Sequence, residues 1–531
     1  MADFYLKSGS ATERANSTAY AVGAKVVIAR ADTTANYLVI RKWVMECTTA
    51  GTTGAAAPAW PATVTQDTTT VTDGTVVWTF RKPGFSSGTT ANWAFSAIFM
   101  DYVSTALAAG DRLWVSNNHS ESVDASITIA FPGTLASPNQ VLCGVDTAAP
   151  PTALATTGVV ATGNGAYNIA LTGVFYCYGI SFKCGVGNTA NSSRIDLASV
   201  AGNQQEYDNC VFEVATTIAS TNARIQIGLN SGANNTPGVN FKNCSVKFGS
   251  ATQLIDVEWA NFGWRGGSIL AGSAAITTIF KQMAATPRVG ISAIDGVDLS
   301  VAAVAANIID VSTLSTSTWT IRDCKLPAAW TGSVVTGAFA VPSQRVGMYN
   351  CDSADTNYRL SIADYAGTIV QETTIVRTGG ASDGTTTLSW KMASSASALA
   401  LTAPLVSDEI VRWNDTTAAA ITATVEVVHD SQGAGASGAF TNDEIWLEVL
   451  YLGTSGVPLG KFVSNGKADV LATAADHPAS TATWTTTGLT TPVKQKLSVT
   501  FTPQKKGYIH ARVHLGKASK TVYVDPKITI V

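Results

Sequence analysis

Charge is what this sequence has least of. Asp, Glu, Lys and Arg together make up 13% of its 531 residues, and the two signs nearly cancel to a net −3. Such a chain has no basic field, which excludes nucleic acid as a partner. It is not a disordered composition either, because 46% of the residues are hydrophobic, and disorder goes with low hydrophobicity and high charge. Long apolar runs are missing. The stretch Val301–Val311 falls short of the roughly 18 residues of a membrane span and carries Asn307 and Asp310. The start, Met-Ala-Asp-Phe-Tyr-Leu-Lys, has neither the basic opening nor the apolar run of an export signal, so a soluble protein folding in a reducing cytoplasm is expected. Close cysteine pairs are absent: the eight Cys stand singly at 47, 143, 177, 184, 210, 244, 324 and 351. That spacing argues for buried free thiols over zinc or disulfides. There is no Gly-Xaa-Ser-Xaa-Gly elbow, no P-loop and no dinucleotide fingerprint, and no cofactor is implied.

What is present is a repeated phrase. An apolar residue, a spacer, Asn or Asp, then Cys or Gly, then apolar residues recur at Gly179, Cys210, Cys244, Gly267, Gly296, Cys324 and Cys351, in steps of 31, 34, 23, 29, 28 and 27 residues. Periods of this size mark stacked repeats. Each copy reads as a short strand followed by turn residues, and a strand that cannot bury its inner face alone gains a core by stacking. Asn and Asp tolerate the left-handed backbone of a sharp corner, and a free thiol packs as a small hydrophobe. Asn-Gly and Asp-Gly hairpin signals are few. The expectation is an all-β chain built on a right-handed parallel β-helix, with about nine coils up to about Ala366.

Three segments follow from the pattern. Residues 1–85 read as a small β-module, with strands around Tyr20–Val27, Val39–Cys47 and Val71–Phe80. Residues 86–370 hold a cap helix and the β-helix; in Ala91–Ala109, Phe95, Ile98, Phe99, Tyr102, Val103, Ala106 and Leu107 form a helical stripe that ends at Gly110. Such a helix would cover an exposed first coil. After a break at Gly379–Gly384, residues 371–531 carry longer alternating strands that read as an antiparallel sandwich. One of them, Tyr508–Leu515, places His510, Arg512 and His514 on one face and its aliphatic residues on the other.

Residues 19–80, through Tyr20, Gly23, Cys47, Gly51, Gly54, Pro58, Trp60, Asp73, Gly74 and Trp78, resemble a small β-module near the ends of many bacteriophage tail and virion proteins, itself similar to carbohydrate-binding folds appended to chitinases. Gly110–Val115 with His119 and Glu121 is similar to the first coil of β-helical phage proteins and lyases. Residues 408–531, through Asp443–Gly453 and Val522–Pro526, resemble the C-terminal domain of phage virion structural proteins. The resemblance implies a protein of the virion surface, assembled in the host cytoplasm, as a capsid decoration or a tail fibre or spike. Its implied partners are other capsid or tail proteins, further copies of itself in a homotrimer that buries the apolar flanks, and host-surface glycan.

Few residues offer chemistry. Asp256 and Glu258, two apart in Ile255–Trp259, point the same way, within glycosidase spacing but equally readable as an outward pair in solvent. Trp259, Trp264 and Arg265 stand nearby to stack and orient a sugar. Trp60 and Trp78 read either as the core of a small module or as a sugar platform. His119 and Glu121 share a face as a first-coil polar cluster rather than a metal site. The scarcity of His and acids leads to the expectation of a non-enzymatic structural protein. The alternatives are a polysaccharide-degrading spike using Asp256 and Glu258, or a glycan-binding adhesin using Trp60, Trp78, Trp259 or Trp264.

Overall fold

The recurring corners stack, and in the computed structural model each is two residues long. The structure describes residues 2–84, 92–228, 236–281, 290–311, 318–328, 330, 332, 335–337 and 345–353, followed by residues 419–420, 502 and 531 and the C-terminal strands given below. The chain divides into two compact units, Met1–Ala274 and Ala275–Val531.

In the first unit, parallel strands repeat on three faces. Before the corner come Arg112–Ser116, Asn139–Gly144, the end of Ile169–Tyr178, Gln204–Asp208, and the first halves of Gly238–Phe248 and Asn261–Ile269. After it come Ser120–Val123, Gly158–Thr162, Ile180–Cys184, Val211–Val214 and the second half of Gly238–Phe248. The third face is Ile127–Phe131, the start of Ile169–Tyr178, Ile195–Leu197, Ile225–Ile227 and Ile255–Val257. All pair in parallel, as a parallel β-helix requires.

The register corrects one detail of the repeat. Tyr178, Asp208, Lys242 and Arg265 lie in one ladder, so the next residues, Gly179, Asn209, Asn243 and Gly266, form the corner. All four have positive φ, from 51° to 74°, the backbone that Gly adopts freely and Asn tolerates. The thiol position is one residue later, where Cys210, Cys244 and Gly267 align. Gly179 therefore stands level with Asn209 rather than with Cys210. In Tyr178-Gly179-Ile180 a glycine serves where later coils have Asn-Cys, and sequence spacing alone does not say which of the two positions it takes. The Gly179 amide donates to the Asp208 carbonyl one coil on, and the Asn209 amide to that of Lys242 (3.0 and 2.9 Å), so the turns are hydrogen-bonded to one another as the strands are.

Inside, side chains stack in columns. Cys177, Tyr207, Phe241 and Trp264 occupy one ladder, Phe182, Phe212 and Val246 another, and Ile195, Ile225 and Ile255 a third, all essentially sealed from solvent. Phe212 lies parallel to Phe241 at 4.6 Å, and Tyr207 meets Phe241 edge-on at 5.7 Å. Aromatic pairs of this kind add to the area they bury. The Cys210 thiol lies 3.8 Å from that of Cys177. All eight cysteines are buried and free, and desolvation pushes the Cys177, Cys184 and Cys244 thiols well above their ordinary range. The thiol column ends at Gly267, where the Trp264 indole donates to the Cys244 carbonyl (3.1 Å). A Cβ on Gly267 would stand 1.9 Å from that same carbonyl oxygen, at φ +89°. Gly267→Ala should therefore cost about 2–3 kcal/mol, read as a lowered urea midpoint with unchanged slope.

Two expectations at the N-terminal end are corrected. The strand Asp3–Leu6 does not belong to the small module; it pairs in parallel with Arg112–Ser116, Asp3 opposite Arg112, with an ion pair of 2.7 Å between them. The long helix over 91–109 is reduced to a 3₁₀ turn, Asn92–Phe95, and a single helical turn, Met100–Ser104, with Ala91 outside the described residues. Ala97 is drawn into a parallel bridge with Leu6, donating to Tyr5 and accepting from Lys7 (3.0 and 2.9 Å). Pairing with a strand distant in sequence outweighs the helical stripe. The short helix still packs on Ile127–Phe131, and Gly110, at φ +82°, still ends the segment.

The small module is a five-stranded sheet in the order Thr12–Glu13, Lys25–Val27, Val44–Thr49, Val76–Arg81, Thr70–Asp73. It is fastened to the helical turn by two arginines. Arg30 grips Asp101 with both terminal nitrogens (2.8 and 2.9 Å) and lies over the Phe99 and Tyr102 rings, while Arg41 reaches the same carboxylate at 3.1 Å. Burial pushes the Tyr102 hydroxyl up to about 12.

In the second unit the parallel coils run through Ile291–Asp295, Thr318–Arg322 and Arg345–Ser353 on one face and Thr278–Lys281, Asn307–Val311 and Val335–Gly337 on another. Here Gly296 aligns with Asp323, both at positive φ, and Cys324 with Cys351. Leu360–Ile362 then pairs antiparallel with Arg345–Ser353 and ends the parallel order. Two antiparallel sheets follow, as expected of a sandwich. One holds Thr374–Gly379, Leu388–Ala393, Thr521–Val524, Ile421–His429, Lys494–Phe501 and Thr481–Thr483, with Thr529–Ile530 beside Ile421–His429. The other holds Leu401–Leu405, Gly507–Leu515, Ile445–Gly453 and Gly460–Val463, with Arg412–Asn414 beside Gly507–Leu515. Ala511 and Val513 are buried, on the face expected to be aliphatic. The expected break at 380–384 and the ending Asp525-Pro526 lie outside the described residues.

Candidate functional site

On the third face, Ile195, Ile225 and Ile255 point inward together with Leu197, Ile227 and Val257. Strand alternation then puts the residues between them, Asp196, Gln226 and Asp256, in one outward ladder. These are 30 residues apart at each step, and the two coils before Asp256 read Arg194-Ile-Asp196-Leu and Arg224-Ile-Gln226-Ile. That phrase, polar residues alternating with inward aliphatics at a fixed period, was the signal available in the sequence for Arg194, Asp196, Arg224 and Gln226, none of which spacing of acids alone singles out.

The ladder is tied together by guanidinium groups. Arg194 Nε lies 2.9 Å from Asp196 Oδ1. Arg224 Nη2 donates to Gln226 Oε1 (2.8 Å), its Nε lies 3.1 Å from Asp256 Oδ2, and Nη2 reaches Glu258 Oε1 at 4.0 Å. The two acids are thus brought together, but they are not an outward pair in solvent: Asp256 is 0% exposed and Glu258 2%. Exposure rises along the ladder toward Arg194, whose side chain is 41% open. Burial raises the Asp196 carboxyl above the usual range against the pull of Arg194 and Arg224. A carboxyl raised above its usual range at the open end, with two further acids behind it beside an arginine, is an arrangement suited to proton donation.

The tryptophans divide sharply. Trp78 is sealed in the module, meets Tyr20 edge-on at 5.0 Å and donates to Asp73 (3.1 Å). Trp60 is buried and donates to Asp32 (2.9 Å), and Trp264 fills the coil interior. Only Trp259 of the four is half-buried, its indole nitrogen 3.4 Å from Thr236 Oγ1 beside the acid ladder. His119 and Glu121 do form a buried polar cluster.

No protein-family model matches this chain, and no curated protein does. Solved structures do. The tailspike protein 4 enzymatically active domain of bacteriophage CBA120 is 10% identical, with 97% of this chain and 76% of that one covered at a TM-score of 0.20. Full-length tailspike protein 2 of an Escherichia coli O157:H7 bacteriophage is 10% identical, covering 96% and 76% at 0.18. A tailspike protein of the Acinetobacter baumannii bacteriophage Fri1, a capsular polysaccharide depolymerase, is 9% identical, covering 99% and 100% at 0.16. All three are bacteriophage tailspike proteins. Similarity at this level does not assign a reaction to this chain, and the fold stands on its own strand pairing. Two of these three tailspikes are an enzymatically active domain and a depolymerase. The expectation of a non-enzymatic protein is corrected at its premise: scarcity of His and acids is no argument when a few carboxyl groups suffice for such chemistry.

Proposed function

We propose that this chain is a tailspike-type protein of a bacteriophage virion that binds and cleaves a host-surface polysaccharide. The observation that carries the reading is the acid–arginine ladder on the outward side of a parallel β-helix. Asp196 and Asp256 stand two rungs apart in one ladder, about 10 Å at the usual strand spacing. That is close to the roughly 6.5–9.5 Å between carboxyl groups in inverting glycosidases. Asp196, at the more open end and raised in pKa by burial, takes the role of proton donor to the glycosidic oxygen. Arg224 stands 3.1 Å from Asp256 and 4.0 Å from Glu258 behind it, and the half-buried Trp259 supplies a ring edge for a sugar. The resemblance of residues 19–80 and 408–531 to virion proteins supports the location, and a homotrimer would cover the flanks of the coils.

The test is incubation of the full chain with purified capsule and O-antigen from a host panel, reading new reducing ends. Cleavage of one glycan is expected, with Asp196→Asn slowing it about a hundredfold or more. Intact polymer from every host would retire the reading.

A further inference from the structure

Outside the acid ladder, a serine, a histidine and a glutamate from two distant stretches meet at the first coil. His119 and Glu121 flank Ser120 at the start of Ser120–Val123, so both point into the protein, where they are 1% and 4% exposed. Ser8 arrives from just beyond Asp3–Leu6, which the pairing with Arg112–Ser116 holds in place. Its hydroxyl lies 3.0 Å from His119 Nδ1. The other ring nitrogen, Nε2, is 3.4 Å from Glu121 Oε2, and that same oxygen accepts the Met100 amide at 2.9 Å. The Ser8 hydroxyl also donates to the Ser120 carbonyl (2.8 Å) and accepts the Ser120 amide (2.9 Å), so its proton has to turn from that carbonyl to His119 Nδ1 in the attack. Unlike its two partners, Ser8 is only half-buried. Gly9 follows it at φ +78°, and nothing lies within 4 Å of where a Cβ would stand.

We propose that Ser8, His119 and Glu121 form a second site, one that hydrolyses carboxylic esters. The constellation has the parts of a serine hydrolase in order: nucleophile, base, and a carboxylate that orients the base. In the tautomer that carries its proton on Nε2, 3.4 Å from Glu121 Oε2, Nδ1 is the lone-pair nitrogen facing the Ser8 hydroxyl. Ser8 Oγ attacks the ester carbonyl as its proton passes to His119 Nδ1. The C–O bond to the alcohol then breaks, and the alcohol leaves with that proton. Water attacks the acyl-serine, giving up a proton to His119, and the carboxylic acid departs as Oγ recovers its proton. No redox partner is needed. The Gly9 amide, directly after the nucleophile, is the donor assigned to the carbonyl oxygen in this site, and the open space beside Gly9 leaves room for an acyl group. Glu121 is a positioning residue. Burial holds its carboxyl above the usual range, so the site works once the pH is high enough to ionise it.

The experiment uses the full chain with p-nitrophenyl acetate and with a fluorophosphonate that labels activated serines, followed by peptide mass spectrometry. The expected result is a phosphonyl adduct on the peptide carrying Ser8, ester turnover above buffer, and a loss of about a hundredfold or more in Ser8→Ala. Glu121→Gln should lower kcat about tenfold with KM unchanged, and Glu121→Asp should recover part of it. Labelling elsewhere or nowhere, or a Ser8→Ala protein as active as the parent, overturns the proposal. Labelling of the unaltered protein decides even if variants at the buried positions fail to fold. Because the readout is ester cleavage and not reducing ends, failure here leaves the acid ladder untouched, and the reverse holds.

Discussion

Asp73→Asn is expected to remove about 3–5 kcal/mol from the N-terminal module, enough to leave much of it open at room temperature. Asp73 is 2% exposed and receives four donors: Arg14 Nε and Nη2 (2.6 and 2.9 Å), the Gly54 amide (2.9 Å) and the Trp78 indole (3.1 Å). Neutralising it leaves the Arg14 guanidinium, whose side chain is 3% exposed, without its counter-charge. The amide that replaces one oxygen also presents hydrogens to donors. Hydrogen exchange reads the result: protection in Val44–Thr49 and Val76–Arg81 should fall about a hundredfold or more, while Ile195–Leu197 and Ile225–Ile227 keep theirs. Burial by itself would raise the Asp73 carboxyl, but the Arg14, Gly54 and Trp78 bonds outweigh it and hold it below the usual value. With the folded value lower than the unfolded one, the stabilisation is complete above the ordinary carboxylate range and is lost as pH falls through the depressed value. The module's protection should therefore decline in acid below about pH 4, and in Asp73→Asn that part of the acid dependence should vanish. Glu121 works in the opposite sense: its raised value adds stability at low pH that is lost as pH rises through it.

Arg224→Met is the second large effect. Methionine keeps much of the side chain's length but removes the cation 3.1 Å from Asp256 and the donor to Gln226. Two buried acids, at 0% and 2% exposure, then lose this cation. Breaking such a pair costs about 3–5 kcal/mol, since the remaining charge stays buried. The expected result is a lowered urea midpoint for the unit Met1–Ala274. Partial recovery should follow if Asp256→Asn is added, because a buried carboxylate deprived of this cation, more than the lost contact, makes up the cost. A double variant no better than the single one would mean that the cost lies in packing.

How legible all this was varies by element. The corners were readable because their chemistry is local: Asn209, Asn243 and Asp323 sit where positive φ is required, and few other residues with side chains accept it. The thiol column was readable in kind but shifted at Gly179 and Gly296, because glycine suits both corner positions. The helix expected over 91–109 does not form because its stripe of apolar residues also satisfies a turn packed on Ile127–Phe131, and the bridge from Leu6 to Ala97 chooses between them. Asp256 and Glu258 were found as a pair, but their burial was not. The cation that meets them, Arg224, lies one coil earlier and becomes a neighbour only when the coils stack.

The sequence by itself determined the architecture, since a period of corner residues and inward aliphatics leaves a chain few ways to hide its apolar faces. Only the tertiary structure decided which polar groups meet. Stacking puts residues about 30 positions apart within ion-pair distance, and strand pairing carries Ser8 to His119 across 111 residues. Those encounters depend on three-dimensional register, to which a linear pattern of hydrophobicity is blind.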